Sequence, residues 1–233
     1  MSLTIALSGN SSVLTADFNP PIYLGDDAEY MIGLTNFETF NSIPNVDENN
    51  NSFYYGDADN EIIIPVGSYE LQDLESYILK HIDKSVAFRL HPNNNTLKTV
   101  IRCSERINFQ KPNTIGKLLG FENVILQKND QHESTNTIQI LKVNSLCIDC
   151  NISTGSYVNG KPVHIIHQFF PIVPAGYKIV ERPKNIIYFP VTVKTISNIK
   201  VKILDQDGAA VNFRGETISV RLYLKKLNYG SDI

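Results

Sequence analysis

Apolar and polar residues alternate along several short stretches of this 233-residue chain. The alternation is clearest in residues 199–203 and 218–224, where Ile, Val or Leu occupies every second position. Because successive side chains of a strand point to opposite faces, this period predicts half-buried antiparallel strands. We predict further strands at residues 3–7, 30–37, 61–64, 86–91, 97–102, 145–152, 163–170 and 185–193. Short strands separated by turns rich in Asn and Gly indicate a β-sandwich or a barrel.

Helical periodicity is clear in one segment, residues 68–83, where apolar residues recur every three or four positions. Ser68 can cap the free amides at its start, and Lys80 and His81 lie in its last turn, as the helix dipole favours. A second, short helix is predicted near residues 114–119, ended by Gly120. The polar segment 127–136 is predicted to be a mobile loop. Since no Pro/Gly/Ser-rich linker divides the chain, we predict one domain over residues 1–233.

Composition excludes several classes of protein. A hydrophobic fraction of 42% with 11 Phe and 11 Tyr excludes a disordered chain. No apolar run is long enough to cross a membrane, and the first residues do not resemble a signal peptide. Three cysteines, an odd number, do not suit a disulfide framework, so we expect a reducing compartment.

The charges are segregated along the chain although the net charge is only −3. Residues 1–83 hold one base and 14 acids, whereas residues 84–233 hold 20 bases and 10 acids. Nucleic-acid binding proteins usually carry a clustered basic patch and a basic pI, and this chain has neither. We therefore expect the early acids to neutralise the later bases by pairing within the fold.

Two pairs of residues with metal-binding side chains are candidates for a site. Cys147 and Cys150 lack a second pair to complete a zinc site, and on a strand two residues three apart point to opposite faces. His164 and His167 have the same spacing, so we expect them to form local hydrogen bonds. We predict no metal site and no cofactor.

Motifs for catalysis are also absent. The sequence holds no Gly-x-Ser-x-Gly elbow, no glycine-rich phosphate loop and no H-E-x-x-H helix. The Asp-Gln-Asp-Gly segment at 205–208 has some acids of a calcium loop, but the remaining ligand positions are apolar or basic, and we predict a turn. We therefore predict that the protein is not an enzyme and has no catalytic residue.

Aromatic residues are concentrated in two regions that flank predicted loops. Exposed aromatic patches mark protein contacts, so these residues are the candidates for an interface between proteins. They are Phe37, Phe40, Phe53, Tyr54, Tyr55, Phe169 and Phe170.

Short phrases occur in order along nearly the whole chain: LTADFNPPIY (14–23), IGLTNFETFNSIPN (32–45), IPVGSYEL (64–71), IGKLLGF (115–121), NISTGSY (151–157), DQDG (205–208) and FRGE (213–216). Each phrase alone has low specificity. Together they resemble the minor capsid, or penton, proteins of Polinton/Maverick elements and the related adintoviruses. The double jelly-roll major capsid proteins of these elements share some phrases, but they need a considerably longer chain.

The resemblance implies an all-β single jelly roll, a β-sandwich of two facing antiparallel sheets, with its first strand beside its last. It implies a homopentamer at the five-fold vertices of an icosahedral virion. The partners would be copies of the same chain and the double jelly-roll major capsid protein, without specific nucleic acid. The protein would be made in the host cytosol and assembled there or in the nucleus.

Two other functions stay open from the sequence. One is a non-catalytic jelly-roll binding module, either domesticated by a host or similar to lectins or the tumour-necrosis-factor group. The other is a cupin-type metal enzyme that binds its metal through His164 or His167. A trimer or a glycan ligand would indicate the first, and stoichiometric metal the second.

Overall fold

The computed structural model describes residues 2–26 and 28–227, most of which lie in strands and turns. The chain begins with the strands β1 Leu3–Gly9, β2 Val13–Tyr23 and β3 Tyr30–Phe40. There follow β4 Ser52–Tyr55, β5 Asn60–Ile63, helix α1 Leu71–His81, β6 Phe88–Asn93, β7 Lys98–Cys103, β8 Ile107–Asn108, β9 Ile125–Leu126 and β10 Gln131–Thr137. The last strands are β11 Leu146–Cys150, β12 Ser156–Val158, β13 Lys161–Val163, β14 Ile165–Phe169, β15 Lys178–Glu181, β16 Phe189–Pro190, β17 Thr195–Leu204 and β18 Ile218–Lys226.

The chain forms two compact units. One, here called the sandwich unit, comprises Met1–Ile43 with Val143–Ile233, and the other, the inserted unit, is Pro44–Lys142. Each unit has its own cluster of buried apolar side chains. The single domain expected over residues 1–233 stays a prediction, because a compact unit need not fold and unfold independently.

The sandwich unit is a jelly roll. One sheet has the strand order β1–β18–β3–β15 and the other the order β2–β17–β11–β14, with antiparallel pairing in both. Of these eight strands, the first therefore lies beside the last, the second beside the seventh, and the fourth beside the fifth. This order confirms the predicted all-β jelly-roll class.

Period-two alternation builds the core of the sandwich unit. In β17 the side chains of Ile199, Val201 and Ile203 are fully buried, whereas the lysines between them are exposed. β1 runs antiparallel to β18, with Leu3 opposite Leu224, which confirms the pairing of first and last strands. Burying such alternating faces in two sheets is the main favourable contribution to the stability of a sandwich.

The ion pairs confirm the expected neutralisation of early acids by later bases. Between described residues, every pair formed by Lys or Arg joins an acid from residues 1–83 to a base from residues 84–233. These pairs are Arg89–Glu75, Arg106–Asp59, Lys111–Asp59, Lys142–Asp47, Lys178–Glu38 and Arg182–Glu38.

The inserted unit contains the helix. It has a sheet of order β10–β7–β6, a sheet of order β5–β4–β8–β9, and α1, which buries Leu71, Leu74 and Ile78. The helix is shorter than the predicted 68–83 and begins after Glu70 rather than after Ser68. The carboxylate of Asp73 accepts the Glu70 N–H at 3.0 Å, and the Glu70 carboxylate accepts the Asp73 N–H in return. This capping box fixes the start of the helix.

Two local predictions in the inserted unit are wrong. Residues 114–119 form turns and not a helix, although the Leu119 N–H donates to the Ile115 carbonyl. The supposed loop at 127–136 includes most of β10, which pairs with β7. This strand lacks an apolar alternation because it is the edge of its sheet and buries only the Ser134 side chain, whose hydroxyl accepts the Thr99 N–H at 3.0 Å.

A chain segment crosses the outer face of the first sheet of the sandwich unit, where residues 185–193 were predicted to form a strand. There β16 pairs with β3 and Val191 forms an isolated bridge with Ser153, and the residues before β16 pack over Gly33 of β3. Tyr188 packs edge-on against Tyr223 at 6.4 Å between ring centroids, and Lys225 Nζ lies 5.6 Å from the Tyr188 ring. The absence of a side chain at Gly33 makes this close approach possible.

We expect Gly33→Ala to destabilise the sandwich unit. A Cβ at this position would lie 2.6 Å from Ile186 Cγ2 and 2.9 Å from the Ile187 carbonyl oxygen, so the crossing segment would have to move. Overpacking of this kind costs about 1–3 kcal/mol in free energy of unfolding. Urea denaturation measures the change, with the exposed Ser8→Ala on β1 as the control. An unchanged midpoint for Gly33→Ala would contradict the packing described.

Candidate assembly surface

Three of the seven predicted interface aromatics are core residues, which corrects the sequence-based assignment. Phe37 and Phe169 lie in the core of the sandwich unit with ring centroids 5.3 Å apart. Phe53 lies in the core of the inserted unit, with its ring centroid 5.5 Å from that of Phe88. Buried side chains of this kind stabilise the subunit and are not available to a partner.

Tyr54 and Tyr55 are half-buried in the inserted unit. The Tyr54 hydroxyl donates to Glu61 Oε1 at 2.7 Å, and this hydrogen bond raises the pKa of the phenol. The Tyr55 ring packs against the core, and its hydroxyl accepts the Asp83 N–H at 3.3 Å. Their polar ends are already engaged within the unit, so they offer little to a partner.

Phe40 and Phe170 are exposed, as an interface requires, at 44% and 66%. Phe40 ends β3 opposite Lys178 of β15, and Phe170 directly follows β14. A short apolar segment bounded by two prolines, residues 171–174, follows Phe170 in the sequence. Further exposed apolar residues lie between β14 and β15 and in β15. We group the exposed apolar side chains near these two strands under the name β14–β15 flank: Phe40, Phe170, Ile172, Tyr177 and Val180.

Asn41 anchors the loop that carries most of this flank. Its N–H donates to the Tyr177 carbonyl at 2.8 Å, and its own carbonyl accepts the Gly176 N–H at 2.7 Å. Its side-chain amide donates to the Val173 carbonyl, also at 2.7 Å. Three hydrogen bonds from one residue hold the loop beside the end of β3, so the apolar side chains are presented in a fixed place. Such preorganisation lowers the entropy lost on association.

Charged groups next to the flank are paired. Lys178 Nζ lies 2.5 Å from Glu38 Oε2, and the Asn36 amide donates to Glu38 Oε1 at 3.0 Å. The hydrogen bond from Lys178 is the main reason that the pKa of Glu38 is lowered, so this carboxylate is ionised at neutral pH. Between β14 and β15, His167 Nε2 lies 2.9 Å from Glu181 Oε1.

The residues considered for chemistry are accounted for by the fold. Cys150 belongs to the core cluster and Cys147 does not, as expected for opposite faces of β11. Burial raises the pKa of Cys150 to about 11, which keeps the thiol protonated at neutral pH. His164 Nδ1 is 2.6 Å from the Ser153 carbonyl, and with the His167–Glu181 contact this confirms local hydrogen bonding of both histidines.

Residues 205–208 form the predicted turn, in which the Asp205 carboxylate accepts the N–H groups of Asp207 and Ala209. No cluster of three or more His, Cys, Asp or Glu side chains suited to a metal ion occurs within residues 2–26 and 28–227. Within the same residues, no helix combines the length and the apolar character needed to cross a membrane.

The fold just described defines a jelly-roll protein with an insertion between its third and fourth sandwich strands. No family model and no curated protein matches the sequence. Among solved structures, the chain is similar to the mavirus penton protein, with a TM-score of 0.50 and 11% sequence identity. The alignment covers 97% of this chain and 99% of that chain. At this identity the likeness shows a shared fold.

We expect the stability contributed by Glu38 to depend on pH. Because the pKa of Glu38 is lower in the folded protein than its ordinary value of 4.5, its contribution is present above that value and is lost as the pH falls through the folded pKa. Glu38→Gln should therefore reduce the loss of stability between pH 6 and pH 3, measured by urea denaturation at each pH.

The control for this measurement is Glu216→Gln, in the same unit, because Glu216 forms no ion pair with a described residue. Its pH profile should follow that of the wild type. If Glu38→Gln also follows the wild-type profile, the Lys178–Glu38 pair does not stabilise the fold.

Proposed function

We propose that this protein is a structural capsid protein, the penton subunit of an icosahedral virion. The observation that carries the proposal is the likeness of nearly the full chain to the mavirus penton protein in fold. The sequence phrases that resemble Polinton/Maverick minor capsid proteins support it independently. We further propose that the virion is that of a Polinton/Maverick-type element.

The proposed subunit works by contact energy and not by chemistry. Its candidate thiols are buried and its candidate histidines already have partners inside the subunit. Closed rings are built from heterologous contacts, in which each subunit presents one side to a different side of its neighbour. A homopentamer of this kind needs two distinct lateral surfaces on every copy.

The strand order provides two such sides. β1 and β2 are edge strands at one side of the sandwich, and β15 and β14 are edge strands at the other. We propose that the β14–β15 flank of one copy packs against the β1–β2 side of the next, with Phe40 and Phe170 within the contact.

Exposure and charge support this arrangement. The β1 and β2 strands carry exposed apolar residues, among them Val13 and Tyr23, and one charged residue, Asp17. On the opposite side, Lys178 and Arg182 both pair with Glu38, so the charges there are largely balanced within the subunit. A stable contact hides about 800 Å² on each partner and is apolar at its centre.

We also propose that loops at the ends of the sandwich contact the double jelly-roll major capsid protein around the vertex. The protein would then be made in the host cytosol and incorporated in the virion. No cofactor and no specific nucleic acid enter this role.

We expect the purified protein to form a pentamer, with five times the chain mass of 26.2 kDa. Mass photometry gives the mass, and negative-stain images should show rings with five-fold symmetry. A stable trimer would contradict the proposal and indicate a binding module of the tumour-necrosis-factor type. A species that stays monomeric at high concentration would contradict self-assembly through the flank.

Phe170→Asp should weaken the pentamer. An apolar anchor inside an interface contributes about 2 kcal/mol or more, so the concentration for half-assembly should rise at least about tenfold. Leu97→Asp is the matched control, since Leu97 is 63% exposed, lies in the inserted unit, and has a φ of 56°, a conformation that Asp tolerates. Equal effects of the two substitutions would exclude the flank as the contact.

A further inference from the structure

The inserted unit has a cleft of about 560 Å³ at the start of β6 and the end of β7, beside the last turn of α1. A volume of this size is within the range of small-molecule sites. Its polar lining includes Arg89, Arg102, Ser104 and Asn129, and its apolar wall includes Leu79 and Val86. No Asp or Glu is among the residues that line it.

Two arginines face each other in this cleft. Arg89 of β6 is the direct cross-strand partner of Arg102 of β7. Like charges placed opposite one another on antiparallel strands destabilise the sheet. On its other side Arg102 is paired with Gln131 of β10, which is neutral. The strand register therefore places two positive charges side by side, and the cross-strand partners of Arg102 include no acidic residue.

One acidic group reaches this pair of arginines, Glu75, and it does so only at long range. The nearest carboxylate oxygen to Arg89 is Glu75 Oε1, at 3.8 Å, and that oxygen already accepts the Leu90 N–H at 3.1 Å. The Arg102 guanidinium forms no ion pair with any residue in the described part of the chain. By contrast, Arg106 and Lys111 in the same unit both reach Asp59.

The remaining polar groups of the cleft suit an oxyanion. The Ser104 hydroxyl accepts the Ala87 N–H at 3.0 Å, which leaves its own proton free to be donated. Asn129 also lines the cleft. Guanidinium groups bind phosphate through paired hydrogen bonds, and two of them compensate the charge of a phosphate group.

We propose that this cleft binds a phosphate group, with Arg89 and Arg102 as its principal ligands and with Leu79 and Val86 beside an apolar part of the same ligand. A nucleotide combines a phosphate with a ring system that such a wall can accept. The phosphate can come from a free nucleotide or from a single-stranded nucleic acid, in which case the cleft holds one backbone phosphate without reading sequence. This site is independent of the proposed ring contact, which lies in the sandwich unit.

The test is a calorimetric titration of the full chain at low ionic strength with adenosine monophosphate, adenosine and a short single-stranded DNA. The monophosphate should bind, and adenosine should bind at least about tenfold more weakly, because it lacks the charged group. Tighter binding of the DNA than of the monophosphate would assign the phosphate to a nucleic acid, and equal or weaker binding would assign it to a free nucleotide. Binding of none of the three would overturn the proposal.

Arg89→Gln and Arg102→Gln should each weaken binding of the monophosphate at least about tenfold. Lys117→Gln, which removes an exposed positive charge elsewhere in the inserted unit, should leave binding unchanged. Because Arg102→Gln relieves a like-charge contact, its thermal midpoint without ligand should be no lower than that of the wild type, so lost binding cannot be attributed to unfolding.

Two further results would overturn the proposal. One is unchanged affinity in both arginine variants. The other is binding of a glutamate-rich peptide as tightly as the monophosphate, which would make the cleft a docking site for an acidic protein segment.

Discussion

The structure depends on burying the apolar faces of two sheets whose strands come from distant parts of the chain. β18 lies between β1 and β3, and β17 lies between β2 and β11, so the last two long strands are interior strands of sheets that also contain the first three. Neither sheet is complete until the C-terminal strands arrive. The inserted unit interrupts the chain between β3 and β11 without changing this order, and a long connection adds only slowly to the entropy cost of closure.

Once both sheets are buried face to face, the positions left for function are edges, loops and the inserted unit. The β14–β15 flank occupies an edge, where a loop held by Asn41 exposes apolar side chains that the core does not use. The Arg89–Arg102 cleft lies in the inserted unit, where the strand register leaves two charges opposite one another. Both features are costly for an isolated subunit, one through exposed apolar area and the other through repulsion, and the proposed binding would relieve both costs.

The sequence predicted the fold class more accurately than the interface. Alternation locates strands because it is a local property, and it placed β1, β3, β17 and β18 correctly. It failed for β10, a polar edge strand with no buried apolar face. It also could not distinguish Phe37 and Phe53, which are fully buried, from Phe40, which is exposed. The buried and the exposed phenylalanines have similar neighbours in the sequence. Whether each side chain is buried or exposed depends on how residues distant in the sequence pack around it.

By itself, the sequence determined that this chain forms antiparallel strands and one clear helix, and that its early acids can neutralise its later bases. It also lacks the common catalytic motifs. These properties depend on residue type and on spacing along the chain. The tertiary structure alone decided the full order of the strands in each sheet, which aromatic side chains face solvent, and that Arg89 stands opposite Arg102. Those properties depend on contacts between residues far apart in the chain, which local periodicity does not encode.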